Sequence, residues 1–146
     1  MTRDLTAAWD FLVGATHARQ RLATARPLIW EKARLPTAER TFVLRGSPGG
    51  GRERPPDEED ADFITIRISI ETLLPDGRRL DSCVDLVAGP RRWLVRPYIA
   101  FGDALEQPLW EGQVIDRDDP TGFADAVDAA AQALLEATMS LDFAAI

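Results

Sequence analysis

His17 and Cys83 are the only histidine and the only cysteine among 146 residues, and they are the natural candidates for a base or a nucleophile near neutral pH. A general base needs an orienting carboxylate and a nucleophile within reach, and no local motif places either beside His17. On a helical wheel His17 flanks an apolar stripe, so it reads as a boundary residue with a satisfied ring nitrogen. Cys83 falls on the polar side of its strand between Asp81 and Asp85. Those acids raise a thiol pKa and disfavour a thiolate. One histidine and one cysteine do not make an ordinary zinc site. The acidic runs Asp57 to Asp60 and Asp116 to Asp119 lack the glycine and terminal glutamate of an EF-hand loop. GxSxG, HExxH, GxGxxG and CxxC are all missing. The sequence therefore yields no catalytic, cofactor-binding or metal-ligating residue, and no cofactor.

Residues 46 to 61 read GSPGGGRERPPDEEDA. Gly46 and Gly51 have the spacing of GxxxxGK[ST], but Arg52-Glu53 stands where Lys-Ser/Thr should be. The following RPPDEED cannot open a helix whose N-terminus would receive a phosphate. The stretch is expected to be a flexible Gly/Pro/acidic loop at about 46–60, joining two strands of one domain. Arg52 and Arg54 followed by Asp57, Glu58, Glu59 and Asp60 make it zwitterionic.

A chain of this length makes one domain, 1–146, with a core of its own. Hydrophobic content of 45% and charged content of 28% suit a globular protein. No apolar run reaches a membrane span, and the N-terminus lacks the features of a secretory signal. With one cysteine, no intrachain disulfide can form, and the cytoplasm is the expected location. A formal charge of −7 argues against general nucleic-acid binding. Lys32 is the only lysine among 17 basic residues, a codon signature of a GC-rich bacterium.

The elements that must position these groups follow from periodicity. Leu5, Trp9, Leu12, Val13, Thr16 and Ala23 form one stripe and predict an amphipathic helix from Asp4 to about Ala25, ended by Pro27. Residues 28 to 36 are open between a strand and a helical turn. Thr41 to Arg45 reads as a strand. Ile64, Ile66, Ile68 and Ile70 alternate with Thr65, Arg67, Ser69 and Glu71, which gives a strand with one buried and one wet face. After a Pro75-Asp76-Gly77 turn, Leu80, Val84 and Leu86 alternate with Asp81 and Asp85. Trp93, Val95, Ile99 and Phe101 define a third strand, in which Pro97 signals an edge or a bulge. PLWEGQVID, ending at Asp116, reads as a further strand. Asp119-Pro120 opens a second helix with Phe123, Val127, Ala130, Leu134 and Leu141 on one side. The expected fold is α+β: a two-layer sandwich of an antiparallel meander of four to five strands, with the N- and C-terminal helices packed on one face.

Parity sends Arg67, Glu71, Arg79, Asp81, Asp85, Arg92 and Arg96 to the face opposite the helices, with Leu94 and Tyr98 and with Ile115 as a further candidate. Cross-strand ion pairs on a wet sheet account for such a set. So does a recognition surface, because Arg and Tyr are enriched in protein interfaces. Trp9 and Trp93 are expected in the core, Trp30 and Trp110 as exposed anchors. The partner-binding residues are then Arg67, Arg92, Leu94, Arg96, Tyr98 and Trp110. The functional reading is a non-catalytic protein-binding module of accessory, adaptor or inhibitor/immunity type. The alternatives are a small-ligand binder or enzyme with a pocket between sheet and helices, and a self-assembling structural subunit.

Overall fold

The computed structural model describes residues 2–46, 63–101, 104–108 and 112–143. The flexible loop expected at about 46–60 lies outside them except for Gly46, and Trp110 lies outside as well.

The chain opens with a helix, α1 (Thr2–Ala33), longer than the periodicity predicts. Pro27 lies inside it. A proline within a helix removes one N–H from the ladder and crowds the preceding turn. The helix continues because its packed side does: Phe11, Ala15, Ala18, Leu22, Ala25 and Ile29 are all buried, at alternating spacings of four and three. It ends where Arg34 turns to a left-handed φ of 52°, its N–H donating to the Trp30 carbonyl at 2.6 Å. Residues 28 to 33 are thus helix.

The packed stripe is not the predicted one. Trp9, Leu12, Val13 and Thr16 all point outward. Two residues apart at about 100° each, Trp9 and Phe11 face nearly opposite ways. The inner side is rich in small residues because the second helix comes close: a Cβ on Gly14 would sit 2.3 Å from the Phe123 ring.

The strands are β1 (Thr37–Gly46), β2 (Phe63–Leu73), β3 (Arg79–Ala88), β4 (Arg92–Phe101), β5 (Ala104–Pro108) and β6 (Gln113–Asp116). All pairings are antiparallel, in the order β1-β2-β3-β4. The far edge of β4 is shared: β6 pairs with Arg92 to Val95 and β5 with Tyr98 to Phe101. Arg96 and Pro97 fall between the two, so the proline marks a break in a shared edge. The bulge of β4 lies at Ala100/Phe101 instead. The predicted strand PLWEGQVID contributes Pro108 to β5 and Gln113–Asp116 to β6. Between β2 and β3, Gly77 adopts a φ of 86° that glycine takes without strain, and the Asp76 carboxylate accepts from the Arg78 N–H at 3.0 Å.

The second helix, α2 (Pro120–Met139), is capped by Asp119, whose carboxylate accepts from the Gly122 N–H at 2.9 Å. Both helices pack on one face of the sheet, giving a two-layer α+β fold. Between the layers lie Ile66, Ile68 and Ile70 of β2, Leu80, Val84 and Leu86 of β3, and Trp93, Val95 and Ile99 of β4. Ile64 is exposed, and Ile115 joins this core, not the opposite face. Phe11, Trp93 and Phe123 form an aromatic cluster with ring centroids 4.8 to 5.7 Å apart. No helix among the described residues is long and apolar enough to cross a membrane.

Candidate functional site

The ladder registers set Arg67, Asp85 and Arg96 in one row across β2, β3 and β4, and Ser69, Cys83 and Tyr98 in the next. Arg67 grips Asp85 with two hydrogen bonds, Nε to Oδ1 at 3.0 Å and an Nη to Oδ2 at 3.1 Å. An Nη of Arg96 lies 3.8 Å from the same carboxylate. Both guanidiniums also lie over the Tyr98 ring, at 5.0 and 4.7 Å from its centroid. Burial opposes the charge of Arg67, but its hydrogen bonds and attraction to Asp85 outweigh that and raise its pKa.

This face was expected to be wet, and at its centre it is not. Tyr98 is 1% exposed, and Asp85, Arg96, Leu94, Ser69, Thr65 and Ala100 are buried with it. Arg96 and Asp85 are themselves almost fully buried, so their ion pair is largely removed from water. Of the candidate residues, Arg67, Arg96 and Tyr98 come together. Leu94 sits in an apolar cluster with Phe63 and Val87. Arg92 is exposed near Asp116, 3.8 Å away. At the other end, Arg79 contacts Asp81 and Glu71, and burial raises the Asp81 pKa.

Burial also pushes the Cys83 thiol up to about 12, helped by the charges of Asp81 and Asp85. The phenol of Tyr98 pulls the other way, although its buried hydroxyl completes no hydrogen bond of ordinary geometry. A thiol in this setting is not a nucleophile at neutral pH.

His17 does have a carboxylate. Its Nε2 lies 2.5 Å from Oδ1 of Asp128 on α2, and Arg21 approaches the same atom at 3.9 Å. The partners are 111 residues apart, so no sequence spacing announces the pair. The neighbouring hydroxyl of Thr16 donates to the Leu12 carbonyl at 2.9 Å. The contact ties α1 to α2, together with the Arg21 hydrogen bond to Gln132 at 2.8 Å. Among the described residues no group of three His, Cys, Asp or Glu side chains could hold a metal ion.

The surface that sequence reasoning missed is the outer side of α1. Trp9 is 68% exposed, Leu12 and Val13 are half exposed, and with Thr16, His17 and Gln20 they line an open groove of about 400 Å³. The signal was the presence of two apolar stripes on one helix. A second, larger cavity of about 650 Å³ opens between the ends of the helices and the β2–β3 turn, lined by Lys32, Leu35, Pro75, Leu141 and Phe143 among others.

No protein-family model matches the sequence, and neither curated proteins nor solved structures offer a match to it.

Proposed function

We propose that the chain is a non-catalytic protein-binding module that docks its partner on the outer side of α1. The observation that supports this most is the exposure of Trp9, Leu12 and Val13 on adjacent turns, directly opposite the packed stripe. A helix that is apolar on two opposite sides suits a position between two layers, and the described residues supply only one. None of the residues that line the groove is an aspartate, glutamate, lysine or arginine, and the histidine at its rim is already engaged with Asp128. Such a surface suits the apolar stripe of a partner helix, with the tryptophan as anchor. The Arg67–Asp85–Arg96–Tyr98 cluster then serves as a rigid buried support, and the contact moves from the sheet to the helix.

The test is a paired substitution, Leu12→Glu with Val13→Glu. Both side chains are exposed, so the cost to folding should stay within about 0.5 kcal/mol for each. The variant is expected to melt like the wild type and to lose the proteins that co-purify with the wild type from its own host. Recovery of the same proteins by the variant would remove the helix from the account.

A further inference from the structure

Strand β1 ends the sheet, and no described strand pairs with its outer side. In an antiparallel ladder every second residue turns its N–H and C=O away from a given neighbour. Proteins blunt so long an edge with charged side chains, lysine above all, with prolines or with bulges, because it is a template for another strand. Strand β1 carries three charges, Glu39, Arg40 and Arg45, and its four-residue centre carries none. The ten residues of β1 contain no lysine and no proline, and the register with β2 runs unbroken from Thr37 to Gly46. Its centre is apolar and open on both faces: Phe42 is 44% and Val43 70% exposed.

The helix layer is open on the same side. Arg26 reaches from α1 to the Thr37 carbonyl at 3.1 Å and towards Glu39 at 3.8 Å, so this flank of the helix overlies β1. Trp30, one turn further along that flank, is half exposed.

We propose that a second copy of this chain pairs β1 with β1 about a two-fold axis at Phe42, extending the sheet across the pair. The order of residues selects a second copy. A strand paired antiparallel with itself sets residues equally distant from the axis opposite each other. With the axis at Phe42, Thr41 meets Val43, and Glu39 meets Arg45 of the second copy twice over. An axis between two residues is excluded, because it would set outward-bonding residues against inward-bonding ones and side chains of opposite faces against each other. An axis at Thr41 or at Val43 leaves Glu39 opposite no positive charge. The Phe42 register is therefore the one in which this strand complements itself, as an isologous contact requires. Directly opposite residues share a sheet face, so both helix layers lie on one side of the joined sheet. The edge is separate from the α1 groove, and neither proposal depends on the other.

Size-exclusion chromatography with light scattering is expected to give about twice the 16.1 kDa chain mass, falling towards one chain on dilution. Arg45→Glu turns both symmetric pairs repulsive at once and should raise the dimer dissociation constant about tenfold. Val43→Lys, a charge at the centre of the edge, should do at least as much. The reciprocal swap, Arg45→Glu with Glu39→Arg, should restore the dimer. A wild type that stays monomeric at every accessible concentration overturns the proposal, and is the result expected if the edge receives an extended segment of another protein. A dimer unaffected by either single variant, or a swap that remains monomeric, overturns it equally.

Discussion

Cys83 and Tyr98 lie directly opposite one another in the β3–β4 ladder, both buried. Each pKa is raised chiefly by the loss of water around its charged form, the thiol from 9.0 to about 12 and the phenol upward from its ordinary 10.0. The sign of the linkage follows. Below pH 9 both states of the protein hold the thiol proton, and stability is fully present. As pH rises from 9 towards 12 the unfolded chain releases that proton while the folded chain keeps it. Stability then falls by about 1.4 kcal/mol per pH unit for each such group. Thermal melts across the alkaline range should show this decline, beginning with the thiol and steepening once the phenol of the unfolded chain ionises. Cys83→Ala and Tyr98→Phe should each flatten it. A melting temperature that stays level from pH 9 to 11 would show that neither group is shielded as described. Parity in the sequence placed Cys83 and Tyr98 on the face opposite the helices, and the acids flanking Cys83 already argued against a reactive thiol. The burial of that face was not legible, because alternation says which way a side chain points and not what lies over it. The His17–Asp128 contact was hidden for a similar reason: it joins two helices at opposite ends of the chain.

Among the elements, α1 departs most from its predicted form. Proline ended the expected helix on local grounds, because the residue before a proline is pushed out of helical geometry. In α1 the buried run continues through Ala25 and Ile29 on the far side of Pro27, and tertiary packing offsets a local cost. Pro27 is itself exposed, so Pro27→Ala removes the cost without touching the core. That substitution should stabilise the protein by up to about 3 kcal/mol. A melting temperature unchanged or lowered by it would mean that the chain needs the distortion at that point. The helix face was misjudged because large apolar residues dominate a periodicity count, while Ala15, Ala18, Ala25 and Gly14 do the close packing. The sheet was far more legible: Ile66, Ile68 and Ile70 sit in the core as alternation required, and the Pro75-Asp76-Gly77 turn joins β2 to β3. Of the four alternating isoleucines only Ile64, the second residue of β2, is exposed.

Taken as a whole molecule, the described chain is a two-layer sandwich with most of its exposed large apolar side chains on α1 and the β1 edge. A sheet with two helices on one face already buries the residues that hold it together. Trp9, Leu12 and Val13 add nothing to that core, and large exposed apolar clusters mark contact sites in folded proteins. The central claim is that this stripe of α1 meets another protein. Site-specific photo-crosslinking in the native host tests it most directly, with the reactive residue placed at Val13 and, as a control, at Asp125 on the exposed side of α2. The account predicts one discrete adduct with a protein of different sequence from position 13, and none from position 125. No adduct from position 13, or the same adducts from both positions, would contradict it.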